Sequence, residues 1–135
     1  MDLMSSMKIS ASGMKVQGTR LRVIAENIAN ANSTAQTPGG QPYRRKLVTF
    51  ASELDQALGA ELVHVKGMDF DQSDFSRRFQ PGHPAADDEG YVLVSNVNSL
   101  IELSDMREAQ RSYEANLKVI QASRGMLQQT VEILR

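Results

Sequence analysis

Two histidines are the natural place to look for chemistry in this chain. His64 lies in an alternating stretch, with no acid or serine at an informative spacing. His83 stands between Gly82 and Pro84, with Asp87, Asp88 and Glu89 just downstream. An imidazole beside carboxylates could hold a metal ion, but no second nitrogen ligand or defined ligand spacing accompanies it. That stretch reads instead as a solvated loop. Paired carboxylates, a nucleophile elbow and a Walker-type loop are all missing, and Gly39-Gly40 is too short to cradle a phosphate. The chain has no cysteine, which excludes disulfides, zinc–thiolate sites and thiol catalysis. No catalytic, cofactor-binding or metal-ligating residue is assigned, and an enzyme is not expected.

The remaining chemistry is cationic. Tyr43-Arg44-Arg45-Lys46 opens a strand-like stretch to Phe50, and three consecutive cations could meet a phosphate or an acidic neighbour. More often such a triplet is a solvated or salt-bridged edge that discourages strand pairing. With Arg77 and Arg78 it could also serve a helical nucleic-acid-binding protein. The net charge of -1 argues against that, because polyanion binders usually carry a clear basic excess.

Two helices must position whatever these residues do. From Asn96 to Arg135 there is no proline and one glycine, Gly125. Leu103, Met106, Tyr113, Leu117, Ile120, Leu127, Val131 and Leu134 recur at steps of three and four, apart from gaps at Gln110 and Arg124. That is the seam of a helix meeting another helix. A second stripe, Ala109, Ala115, Val119, Ala122, Met126 and Ile133, predicts partners on two sides. Such a helix would be about 55 Å long at 1.5 Å per residue. Its intramolecular partner is expected over Met1 to Asn32, where Met4, Met7, Ala11, Met14, Gly18, Leu21, Ala25 and Ile28 repeat the pattern. Ser5, Ser6, Ser10, Ser12 and Gly13 weaken that helix, so it should depend on packing.

Between them, Thr37-Pro38-Gly39-Gly40-Gln41-Pro42 cannot continue a helix. Ser52 to Gly59 reads as a helical turn or loop, Ala60 to Met68 as a strand, Gln80 to Gly90 as a loop, and Tyr91 to Val94 as a strand. Asn98 suits a helix N-cap, with Glu102 in the first turn. The expected fold is mainly α, with residues 1–32 and 98–135 forming a discontinuous, coiled-coil-like helical core. Residues 33–97 form a small irregular β-containing middle. One domain of 135 residues fits that plan. The N-terminus lacks the features of a secretory signal, and no apolar run approaches a membrane span. A soluble protein without direct membrane insertion is expected, and if exported it would leave without cleavage. Long helices with apolar seams on several faces point to an assembly subunit.

Several motifs carry a family likeness. Ile24-Ala25-Glu26-Asn27-Ile28-Ala29-Asn30-Ala31-Asn32 resembles the asparagine-rich N-terminal motif of bacterial flagellar axial proteins, the rod and hook family. Arg111-Ser112-Tyr113-Glu114-Ala115-Asn116-Leu117 resembles their C-terminal motif. Pro38 to Lys46, Pro81 to Asp87, and Gly90-Tyr91-Val92 followed by Asn96-Val97-Asn98 are similar to the middle of its proximal rod members. The chain departs from the family at Val131 to Arg135, which lacks a terminal glycine.

The resemblance implies a subunit of a hollow helical tube with the terminal helices inside and the middle outside. Its implied partners are itself, other proximal and distal rod subunits, the rod–membrane ring adaptor and the flagellar type III export apparatus. It implies a periplasmic rod in the basal body that transmits torque to the hook, with no cofactor. Another rod or adaptor subunit of the same system is the alternative. On this view Met4, Met7, Met14, Leu21, Asn27, Ile28, Asn30, Tyr113, Leu117, Ile120, Leu127, Val131 and Leu134 form the assembly interface. Tyr43, Arg44, Arg45, Lys46, His83 and Asp87 lie in subunit-contact loops.

Overall fold

The computed structural model describes residues 2–135. Met1, the expected first residue of the N-terminal helix, lies outside them. The order is α1 (Leu3–Ala29), β1 (Lys46–Asp55), β2 (Ala60–Phe70), β3 (Ser76–Phe79), β4 (Tyr91–Val94) and α2 (Ser99–Ile133). Helix accounts for 46% and strand for 22%, so the class is mixed α/β rather than mainly α.

The additional strand has a local cause. β1 runs on to Asp55 instead of becoming a helical turn at Ser52. Asp55 then closes a tight turn: its Oδ1 accepts the N–H groups of Ala57 and Leu58 at 2.9 and 3.2 Å, and its carbonyl accepts that of Gly59 at 2.8 Å. Gly59 takes φ of +62°, a region open to glycine at little steric cost. β1 and β2 form one two-stranded sheet. β3, in a stretch for which the sequence assigns no separate element, pairs antiparallel with β4, with Ser76 opposite Val94 and Phe79 opposite Tyr91.

The helix ends are capped as their residues dictate. Asp2 Oδ1 accepts the Ser5 N–H at 2.7 Å. Asn98 Oδ1 accepts from Leu100 at 3.1 Å and Ile101 at 3.4 Å, as its N-cap reading requires. At the end of α1, Asn30 Nδ2 returns to the Glu26 carbonyl at 2.8 Å. Among the described residues, no helix is long and apolar enough to cross a membrane.

The chain divides into two compact units. The first holds the described residues up to Leu21, together with Thr49–Gly67 and Arg107–Arg135. Within it α1 and α2 run antiparallel: Gly13 faces Asn116, and Arg20 meets Glu108 at 3.6 Å. β2 meets α1 where the Val63 N–H donates to Ser12 Oγ at 3.3 Å. The second unit holds Arg22–Val48 and Met68–Met106. Its apolar core centres on Ala35, Ala85 and Val92, with Ala86 packed against them. The 33–35 segment lies beside β4, with Ala35 N–H donating to Leu93 O and Ser95 N–H to Ser33 O.

Candidate assembly interface

Asn27 organises the second unit. An asparagine near a helix end ordinarily faces water, but this one is buried. Its Nδ2 donates to the Lys46 carbonyl at 2.9 Å and to Glu102 Oε2 at 3.2 Å. Its Oδ1 accepts from the Lys46 N–H at 3.0 Å and from the Tyr43 hydroxyl at 2.8 Å. All four of its hydrogen-bonding sites are used. Toward Lys46 the side chain acts as a neighbouring strand would, answering both backbone groups of one residue. Asn96 does half the same for Arg45, accepting its N–H at 2.7 Å. The Arg45 carbonyl takes the Asp71 N–H at 2.9 Å.

Glu102 is 1% exposed, and burial of a carboxylate demands partners. It has two, Asn27 and the Arg45 guanidinium Nε. Arg45 also reaches Asp71 at 3.3 Å and Asp105 at 3.6 Å. Burial works against the Arg45 charge, but the bonds to Glu102 and Asp71 outweigh it and hold the group more firmly protonated. Burial pushes the Tyr43 hydroxyl up from its ordinary value. The Ser73 hydroxyl and N–H, assisted by Arg45, hold the Asp71 carboxyl below its usual range.

The other two cations of the triplet also find partners in the chain. Lys46 Nζ bonds Glu26 at 2.9 Å, which lowers the Glu26 carboxyl and raises the ammonium. Arg44 donates to the carbonyls of Asp71 and Ser73 at 2.8 and 3.2 Å and lies 4.3 Å over the Phe75 ring. In the 80–90 loop, His83 clasps the backbone: its Nδ1 accepts from the Ala85 N–H at 3.0 Å, leaving Nε2 to donate to Thr34 Oγ1 at 3.1 Å. Asp87 accepts from the Tyr91 N–H at 2.8 Å, which lowers its carboxyl, and from Arg77 at 3.1 Å. No three His, Asp or Glu among the described residues could jointly hold a metal ion.

The helical faces differ from the expected seam in an informative way. On α2 the enclosed and half-enclosed positions include Glu102, Met106, Ala109, Tyr113, Asn116, Ile120, Ser123 and Leu127, at alternating steps of four and three. Met106, Tyr113, Ile120 and Leu127 belong to the expected seam. Leu103 and Leu117 do not turn inward: Glu102 and Asn116 take those places, and the gaps at Gln110 and Arg124 are filled by Ala109 and Ser123. Small residues there allow close approach, and the larger apolar ones lie outside. Leu117, Val131 and Leu134 are 36%, 58% and 81% exposed. On α1, Met4 is 52% exposed, and Met7, Met14, Leu21 and Ile28 are half-buried. Fully buried positions are Ser5, Ser10, Val16, Val23, Ile24 and Asn27. Asn30 serves as a cap.

Comparison with known proteins decides the family. The family model described as "Flagella basal body rod protein" matches residues 7–35. That described as "Flagellar basal body rod FlgEFG protein C-terminal" matches residues 88–133. A flagellar basal-body rod protein FlgC of Agrobacterium fabrum is 54% identical over 133 residues, covering 98% of this chain and 96% of that one. The chain belongs to the FlgC family of flagellar basal-body rod proteins. FlgC proteins of Borreliella burgdorferi and Bacillus subtilis are 37% and 36% identical, covering 100% and 95% of this chain and 99% and 95% of their own. The chain is a structural rod subunit of the flagellar basal body. The two segments matched by the rod-protein family models touch directly, since one carries Asn27 and the other Glu102. Tyr43, Arg45, Lys46 and Asp71, which complete the cluster, lie outside both.

Sequence reasoning missed Glu102, Asn96, Asp71 and Glu26 as partners. The triplet of cations was the available signal, since two of the three, Arg45 and Lys46, pair with carboxylates of the same chain.

Proposed function

We propose that this subunit polymerises through its terminal helices into the proximal, periplasmic part of a hollow helical drive shaft. That shaft links the membrane ring to the distal rod and hook and transmits torque. Its partners are other copies, the proximal and distal rod subunits, the rod–membrane ring adaptor and, before assembly, the flagellar type III export apparatus. Export occurs without signal cleavage, and the chain has no enzymatic role or cofactor. The helices pack as a coiled-coil-like pair forming the core (residues 1–32 and 98–135), with residues 33–97 outside it. Tyr43 to Arg45, His83 and Asp87 lie in loops and Lys46 opens β1, and these positions support subunit contacts.

The observation that carries this reading is the apolar surface left along the helices: Met4, Leu103, Leu117, Val119, Met126, Val131, Ile133 and Leu134 are all exposed. Large apolar surfaces of this kind mark protein contacts. A contact between unlike patches that does not close on itself builds a filament. The test is Leu117→Asp, at a position whose exposure lets the subunit fold. Rod formation in cells, seen by imaging of isolated basal bodies, should fail while the purified subunit keeps its helical signal. Rods of normal yield from this variant would overturn the reading.

A further inference from the structure

We infer that His83 is a proton-operated latch: its neutral ring fixes the 80–90 loop against the 33–35 segment, and protonation releases the loop. The latch is a property of one chain. It rests on the assembly reading only for its consequence, that a loop proposed to meet neighbouring subunits loosens with acid.

All four polar groups of this residue are engaged. Its N–H donates to the Gln80 carbonyl at 3.0 Å and its carbonyl accepts from the Ala86 N–H at 3.0 Å, so it joins two successive turns. Nδ1 accepts from the Ala85 N–H at 3.0 Å, and Nε2 lies 3.1 Å from Thr34 Oγ1. An imidazole nitrogen accepts only while it carries no proton. The Ala85 bond therefore requires a neutral ring with its proton on Nε2, which donates to Thr34. Thr34 in turn bridges to Val94 on β4. The ring thus ties together the segments that carry Ala35, Ala85 and Val92, the apolar core of this unit. The same segments line a cleft of about 340 Å³, through Ala35, Gly39 and Gly40 from one and Ala85 and Asp87 from the other.

A proton on Nδ1 turns this acceptor into a donor. Two N–H groups then face each other, and the buried Ala85 loses its acceptor. The Thr34 bond survives, because Nε2 already donates there, so release falls on the loop side. Histidines ordinarily take up this proton near pH 6.5. No acid is placed to hold the charged ring. In the loop, Asp87 and Glu89 meet Arg77 at 3.1 and 3.5 Å, and Asp88 is exposed. On β3, Arg78 is exposed. The 33–35 segment has no titratable side chain, and β4 has only Tyr91, whose ring meets Phe79 and Arg77. The Asp87 carboxyl is held below its ordinary range, so it stays charged where histidines titrate. The latch is complete above the ordinary histidine value and is lost as pH falls through that range.

The test is NMR on the full-length subunit between about pH 7.5 and 5, on either side of the ordinary histidine value. It follows the His83 ring protons and the exchange of the Ala85 amide, corrected for the intrinsic effect of pH on exchange. As the ring takes up its proton, the Ala85 amide should exchange about tenfold faster or more, having lost its acceptor, while that of Val92 stays within about twofold. His83→Asn keeps an acceptor for the N–H two residues on but does not titrate, so Ala85 should stay protected throughout. His83→Ala should leave it unprotected throughout. A protonated ring with Ala85 still protected would overturn the inference. So would a ring that takes up no proton above about pH 5, or an unchanged pH response in His83→Asn. The two proposals fail separately. Normal rods from Leu117→Asp would discard the assembly reading and leave the pH response of Ala85 in place. A pH-independent Ala85 amide would discard the latch and leave the assembly reading.

Discussion

In the unit of Arg22–Val48 and Met68–Met106, aliphatic side chains such as Val23, Ile24, Val92 and Val94 are buried together with Asn27 and Glu102. In the other unit the buried positions are Ser5, Ser10, Val16, Ala109 and Ser123. The first combines apolar burial with directional bonds, which fix one arrangement of its segments. The second brings small residues together so that two helices lie close, while large apolar side chains stand in solvent in both units, Phe79, Leu100 and Leu103 in the first and Leu117, Val131 and Leu134 in the second. A unit of the first kind is specified by its own chain. A unit of the second kind is held by close helix approach, without a bonded polar cluster at its centre.

The sharpest way to break that comparison is to remove Glu102. Glu102→Ala leaves Arg45 without its most buried carboxylate and Asn27 Nδ2 with one acceptor fewer. Stripping one partner from a buried ion pair costs about 3–5 kcal/mol. Ser123→Ala, at a buried place in the other unit, should change stability by less than about 1 kcal/mol. Urea unfolding of both variants checks this. A Glu102→Ala loss no larger than that of Ser123→Ala would erase the distinction between the units.

Acid gives the next largest expected effect and should act on one unit first. Glu26, Asp71 and Asp87 all belong to the unit that holds Asn27 and Glu102, and each has its carboxyl held below the ordinary range. Below the ordinary carboxyl value, near 4, the unfolded chain therefore binds more protons than the folded one. Their contribution is complete above that value and is lost as pH falls through the lowered folded values. In the other unit Asp2 alone, among the described carboxylates, shows a lowered value. Amide exchange followed from neutral pH into this range should show Arg45 and Lys46 losing protection, and Asp71→Asn should flatten that response. Acid loosening that begins around Val16 and Ala109 instead would reverse the order of the units.

Much of this was legible in the sequence, for physical reasons that also explain the misses. Both helices, the N-cap at Asn98 and the strand at Tyr91–Val94 rest on local rules of periodicity and capping. β1 was legible only in part, because Ser52 to Gly59 has helix-compatible residues and its extended form is set by pairing with β2 and by the Asp55 turn. The seam on α2 was misplaced by one residue at alternate positions. Periodicity finds large apolar residues, whereas the inward choice of Ala109, Asn116 and Ser123 over Gln110, Leu117 and Arg124 depends on how near the facing helix lies. The polar cluster around Asn27 was hidden because Asn27 and Glu102 are 75 residues apart, and each has an ordinary local reading near a helix end.

Gly13 tests how closely the helices of the less specified unit approach. A Cβ there would lie 2.8 Å from Asn116 Nδ2, the movable end of a side chain that donates to the Ser112 carbonyl at 3.0 Å. Alanine at position 13 gains about 1 kcal/mol in helix propensity, and displacing Asn116 opposes that gain. Gly13→Ala alone should therefore be near neutral. Combined with Asn116→Ala, which makes room, it should be about 1 kcal/mol more stable than Asn116→Ala alone. Thermal unfolding of the four-protein cycle measures the coupling. If the two changes simply add, the helices are not in close contact at Gly13.

The smallest effect expected is at Glu108, which meets Arg20 at 3.6 Å in the same unit with its side chain 71% exposed. Solvent screens such a pair, and holding two long side chains together opposes the attraction, so exposed pairs contribute about 0.2–1 kcal/mol. Glu108→Ala also exchanges a carboxylate for a better helix former, leaving a net change within about 0.5 kcal/mol in urea unfolding. A loss approaching that of Glu102→Ala would mean that an exposed ion pair holds these helices as firmly as the buried Glu102 holds the other unit. The two units would then differ in which residues they bury but not in how strongly a charge fixes them.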